Sequence, residues 1–228
     1  MGAFETVVAG DSTTRMYVAG DGRGHAPGVV VLHAWWGLND DVVAFADRLA
    51  AAGFTVVAPD LYGDGQVAST VEDADRLSGA VAESAVNATA LAAIDSLAER
   101  LGPTVPLAAL GFSFGAHWAM WAPTQRDRVE ATVLYYGTTG GSVLTHASVP
   151  VLGHFAEDDP YETDEGVAEF EEALRRAGRE VTIRRYQGTG HWFAEPSRDA
   201  YRPAAADLAF ERTVTFLRQR LGPVRPAD

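Results

Sequence analysis

The residues of this chain whose types and spacing could carry chemistry begin with Gly111-Phe112-Ser113-Phe114-Gly115. An apolar run from Leu107 leads into this Gly-x-Ser-x-Gly, and an apolar helical pattern follows it. Strand, sharp turn and helix together can lift a serine clear of a sheet and hold it at a helix N-terminus. The free N–H groups and the dipole there favour a developing oxyanion. Gly111 and Gly115 suit such a turn, because a side chain at either would strike the neighbouring strand or helix.

A serine hydroxyl is a poor nucleophile at neutral pH and needs a base within hydrogen-bond reach. Two later loops supply the partners. The apolar run Val149 to Phe155 is followed by Ala156-Glu157-Asp158-Asp159-Pro160. The run Val181 to Tyr186 is followed by Gln187-Gly188-Thr189-Gly190-His191-Trp192-Phe193. The chain order Ser113, Asp159, His191 is therefore nucleophile, acid, base, each after a predicted strand. In that arrangement His191 takes the serine proton and returns it to the leaving group. Asp159 fixes the imidazole tautomer and stabilises the imidazolium. An oxyanion hole needs a second N–H beside that of Phe114, and the loop His33-Ala34-Trp35-Trp36-Gly37 assigns it, by position, to Trp35. Ala34, Trp36, Tyr62, Phe112, Trp192 and Phe193 are the expected substrate pocket. His33, His117 and His154 read as structural, since none has the Cys or carboxylate spacing of a metal site. No cofactor or metal is expected.

The elements that must position these residues alternate. Phe4–Val8 and Arg15–Val18 read as a hairpin across Gly10-Asp11, with a turn at Asp21-Gly22-Arg23-Gly24. Val29-Val30-Val31-Leu32 and Thr55–Ala58 read as strands buried on both faces. Between them a helix capped by Asp40 or Asp41 runs to about Ala52 and stops at Gly53. After a Gly-rich loop, Asp60–Thr70, a helical region runs from Val71 to Arg100 with a break near Gly79. Leu107–Phe112, Ala131–Tyr135, Val149–Phe155 and Val181–Tyr186 complete the strands. Helices start at Gly115 and span Thr163–Ala177 and Pro203–Leu221. This alternation predicts one α/β domain over residues 1–228: a doubly wound, mostly parallel sheet with helices on both faces and no large cap domain.

Composition bounds the function. Hydrophobic residues make up 47% and charged residues 21%, which suits a folded domain rather than a disordered chain. The net charge of −13 argues against nucleic acid or an anionic membrane as partner. With no cysteine, disulfides and thiol nucleophiles are excluded, which fits a cytoplasmic protein. The N-terminus lacks a basic-then-apolar leader. Met1-Gly2 and Thr6 match a loose myristoylation pattern, read as chance beside Glu5 and without basic neighbours.

With these pieces assembled, the sequence resembles the dienelactone hydrolase family of α/β-hydrolases. The resemblance rests on Val30 to Asn39, Ala58-Pro59-Asp60-Leu61-Tyr62-Gly63, the Ser113 turn, His154 to Asp159 and Gly190-His191-Trp192-Phe193. It implies Ser113, Asp159 and His191 as the triad, and the N–H groups of Trp35 and Phe114 as the oxyanion hole. Two departures matter. The best-known members carry cysteine where Ser113 stands, and a glutamate where Ala34 stands; a serine worked by His191 has no need of that glutamate. Members that act on acidic lactones also carry an arginine where this chain has Glu195, which argues against a substrate carboxylate there unless Arg198 or Arg202 substitutes. The expectation is a serine hydrolase of small neutral esters or lactones, as a monomer or small homo-oligomer. A dienelactone hydrolase proper and a non-catalytic binding protein of the same fold are the alternatives.

Overall fold

The computed structural model describes residues 2–20, 26–146 and 149–222. The turn expected at Asp21–Gly24 lies outside the described residues. An eight-stranded sheet forms the centre, in the order β1-β2-β4-β3-β5-β6-β7-β8. β1 (Ala3–Ala9) and β2 (Ser12–Ala19) form the expected hairpin, and β2 runs antiparallel to β4 (Thr55–Pro59). From β4 onward the pairing is parallel, through β3 (Gly28–Leu32), β5 (Leu107–Phe112), β6 (Val129–Tyr135), β7 (Val151–Asp158) and β8 (Val181–Gly190).

The central strands are apolar on both faces because helices cover both. Alternate residues divide between two cores. Val29, Val31, Val56 and Leu110 pack with α1 (Asp40–Ala51) and α7 (Pro203–Leu221). Val30, Leu32, Val57 and Ala109 pack with α3 (Glu83–Leu101), α4 (Ala116–Gln125) and α6 (Asp164–Arg176). The long helical region is indeed broken: two residues separate α2 (Val71–Ala80) from α3. A short α5 (Ser142–His146) had no strong periodicity to announce it.

One local expectation is corrected. Helix α1 is capped by Asn39, whose side chain accepts from the Val42 N–H, rather than by Asp40 or Asp41. Asn39 has the extended backbone that a cap requires, while both aspartates lie in the first helical turn, where their negative charge complements the dipole's positive end.

The topology fixes where a site can form. The chain leaves β3 toward β4 on one side, and β5 then lies on the other side of β3. Loops leaving the carboxyl ends of β3 and β5 therefore diverge around a crevice, the usual ligand position in such sheets. Leu32 pairs with Gly111, so those two loops start side by side.

Candidate active site

Ser113 sits in a single 3-10 turn between β5 and α4 with φ of 44°. A left-handed backbone at a non-glycine residue costs about 1–3 kcal/mol and persists only where its surroundings impose it. The flanking glycines show what imposes it. A Cβ on Gly111 would lie 2.4 Å from the Gly115 carbonyl oxygen, and one on Gly115 would lie 2.4 Å from that of Leu32. The turn is thus pressed against the end of β3 with no room for side chains.

The three residues from three separate loops meet. Ser113 Oγ lies 2.9 Å from His191 Nε2. On the other edge of the ring, His191 Nδ1 lies 2.7 and 2.8 Å from the two Asp159 oxygens. Asp159 Oδ1 also accepts the backbone N–H groups of Tyr161, at 2.9 Å, and Glu162, at 3.1 Å. These bonds hold the carboxylate as an acceptor, so His191 carries its proton on Nδ1 and presents Nε2 to the serine. His191 and the Asp159 carboxylate are buried, which excludes water from the bond between them.

The other predicted positions divide. Trp35 and Trp192 are half-buried and stack at 5.9 Å. Tyr62 donates its hydroxyl to the Trp35 carbonyl at 2.7 Å, which fastens the loop after β3 to the loop after β4. Four expected pocket residues instead face inward. Phe193 is 0% exposed and Phe112 3%, both within the core on the α1/α7 face; Phe112 stacks on Tyr135 at 4.7 Å. A residue next to a catalytic-type turn alternates away from it, and these two point down into the sheet packing. Ala34 is buried in the same core. Trp36 is also buried there, under the Arg198 guanidinium, whose Cζ sits 4.0 Å from the ring centroid.

Glu195 also corrects the sequence reading. It does not stand in an open pocket repelling anions. It is 2% exposed, its Oε1 accepts the Tyr136 hydroxyl at 2.9 Å, and its Oε2 has no hydrogen-bond partner among the described residues. Burial raises its pKa to about 8, with Asp41 adding to the rise and the Tyr136 bond and Arg198 opposing it. Glu195 therefore gives no argument against a substrate carboxylate. Arg202 turns its guanidinium to the carbonyls of Asp199 and Tyr201.

His33 and His154 are structural in geometry. His33 accepts the Leu61 N–H on Nε2, so its Nδ1 donates to the Ala34 carbonyl. Burial lowers its pKa and keeps it neutral. His154 is bonded to the Tyr186 and Thr213 hydroxyls, and burial lowers its pKa to about 3. Among the described residues no cluster of His, Cys, Asp or Glu could hold a metal.

Sequence reasoning missed three neighbours. Tyr161, 53% exposed, has its ring 4.9 Å from His191 and 5.8 Å from Trp35. Tyr136, with φ of 38°, lies 5.0 Å from the His191 ring. Glu162 accepts both the N–H and the hydroxyl of Thr138. The first had a visible signal, an aromatic two residues beyond the acid; the other two depend on tertiary pairing. A groove of about 640 Å³ between β8 and α7 contains neither Ser113 nor His191.

The parallel sheet, the helices on both faces and the serine at the turn after β5 define an α/β-hydrolase fold. Within that class the chain belongs to the dienelactone hydrolase family, whose model matches residues 14–221. It is 31% identical to "Protein usf" of Aquifex pyrophilus over 206 residues, covering 86% of this chain and 89% of that one. A Bradyrhizobium protein is 29% identical, covering 87% of this chain and 86% of its own; its provisional name is 2-oxo-3-(5-oxofuran-2-ylidene)propanoate lactonase. The crystal structure of a dienelactone hydrolase-like promiscuous phosphotriesterase, P91, from metagenomic libraries matches with a TM-score of 0.83 at 24% identity, covering 97% of this chain and 99% of that one.

Proposed function

We propose that the protein is a serine hydrolase that cleaves small carboxylic esters or lactones through an acyl-enzyme on Ser113. The observation that carries this reading is the unbroken hydrogen-bonded chain from Ser113 Oγ through His191 to Asp159. As Ser113 Oγ attacks the carbonyl carbon, its proton passes to His191 Nε2. The tetrahedral oxyanion is held by the N–H groups of Trp35 and Phe114; the pairing of Leu32 with Gly111, which starts their two loops side by side, supports that assignment. His191 then protonates the departing alkoxide, and the carbon–oxygen bond breaks to leave the acyl-serine. Water, deprotonated by His191, releases the acid and restores the hydroxyl. Asp159 stays ionised and steadies the imidazolium. The cysteine-free composition adds a cytoplasmic setting to the reading.

The test is intact mass after incubation with a small fluorophosphonate, with Ser113→Ala alongside. One adduct on the wild type, absent from the variant, is the expected result. No adduct, together with no turnover across an ester and lactone panel, would refute the reading and favour a binding role for the fold.

A further inference from the structure

A cleft opens beside Phe114, the residue that follows the serine. It has a volume of about 280 Å³ and is walled by Phe114, His117 and Trp118 on one side, and by Val81, Glu83 and Val86 at the α2–α3 corner on the other. Phe114 directly follows Ser113, and its ring packs 4.6 Å from that of Trp118. His117 is held by a 2.7 Å bond to the Thr139 hydroxyl, which fixes the polar end of the wall. Phe114 thus belongs both to the serine turn and to the wall of the cleft.

Its side of the serine differs from the base's side. The rings around His191 are Tyr136, Tyr161 and Trp192. The rings around Phe114 are His33, Tyr62 and Trp118. A leaving alkoxide must depart beside His191 Nε2, so the acyl half of the substrate belongs on the other side. We infer that the Phe114–Val81 cleft is the acyl-binding subsite and takes a compact, apolar, uncharged acyl group. This rests on the serine-hydrolase reading. Val81, Val86, Phe114 and Trp118 supply the apolar contact, while the Glu83 carboxylate at the rim disfavours an acyl chain that ends in a carboxylate.

The experiment compares kcat/KM for p-nitrophenyl acetate, butyrate and hexanoate between wild type and Val81→Trp. The readout is the ratio between esters, which a loss of folded enzyme leaves unmoved. Wild type should gain up to about fourfold per methylene that enters the cleft. Filling the cleft with tryptophan should cut the hexanoate-to-acetate ratio by about tenfold or more. In parallel, wild type should discriminate against p-nitrophenyl hemisuccinate relative to butyrate, and Glu83→Gln should narrow that gap. Acetate turnover with a flat chain-length profile in wild type, or a ratio unchanged by Val81→Trp, would overturn the subsite alone. An unchanged hemisuccinate gap would overturn the charge selectivity. Absence of both acetate turnover and a fluorophosphonate adduct in wild type would remove the serine-hydrolase reading and the subsite with it.

Discussion

Glu195 makes folding stability depend on pH in a direction opposite to most carboxylates. Its side chain is buried, its Oε1 takes the Tyr136 hydroxyl, and no described residue pairs with Oε2. An ionised carboxylate there would lack the solvation that one hydrogen bond cannot replace. Its pKa accordingly stands at about 8 in the folded chain, against 4.5 in the absence of burial. Between those values the unfolded chain has lost the proton and the folded chain keeps it. Stability therefore falls as pH rises through that interval and levels off above about 8. Each pH step costs roughly 1.4 kcal/mol, so the full interval is worth on the order of 5 kcal/mol. Glu195→Gln keeps the shape and the Tyr136 acceptor and removes the titration. The two proteins should be of similar stability near pH 5, and the variant should lead by a few kcal/mol near pH 8. The assay is urea unfolding at both pH values, supported by thermal melts, where 1 kcal/mol moves a chain of this size by about 2–4 °C. Parallel stability–pH curves for the two proteins would refute the argument, because they would mean Glu195 is ionised, and solvated, in the folded state.

His154 supplies the complementary slope. Buried and neutral, with its pKa lowered to about 3, it should let stability fall as pH drops below about 6.5, by roughly 2 kcal/mol at about pH 5; chemical unfolding of His154→Gln should show that component missing. His191→Ala should lower ester turnover by several orders of magnitude with little change in melting temperature, and near-normal turnover would sink the triad. Gly115→Ala should destabilise the fold by about 1–3 kcal/mol, read from urea midpoints, because its Cβ would sit 2.4 Å from a β3 carbonyl oxygen. Tyr62→Phe removes the bond to the Trp35 carbonyl, and kcat should fall about tenfold with KM nearly constant, since the loop bearing the proposed oxyanion donor loses its anchor.

What the sequence disclosed were features carried by local pattern. The strand–turn–helix around Ser113 was legible because its glycines, its apolar run and its helical face are contiguous. The central strands were legible because burial on both faces demands unbroken β-branched or apolar runs. What it hid were facts created only by packing. The motif Gly190-His191-Trp192-Phe193 suggests a loop of exposed aromatics, yet the chain turns at Trp192, φ of 64°, and drops Phe193 into the core. A glutamate four residues past the histidine looks like a surface charge in one dimension. Only the fold shows that the path from His191 to α7 passes beneath the site and carries that carboxyl inside.

The missed residues around the candidate triad follow from strand order. Ser113 leaves β5, Asp159 follows β7 and His191 follows β8, so β6 stands between the serine and the acid. Its loop bears no nucleophile, acid or base, and so attracts no notice in a search for chemistry. It must nonetheless fill the gap between two loops that have to keep their spacing. Three of its residues do so by a specific contact. Tyr136 packs its ring against His191, Thr138 is bonded twice to Glu162, whose own N–H is accepted by Asp159, and Thr139 holds His117 of α4. The spacing between acid and serine is thereby set through β6 as well as by the sheet. Glu162→Ala should consequently depress kcat without touching the Ser113–His191 pair directly, and restoration by Glu162→Gln, which can still accept from Thr138, would separate bracing from charge.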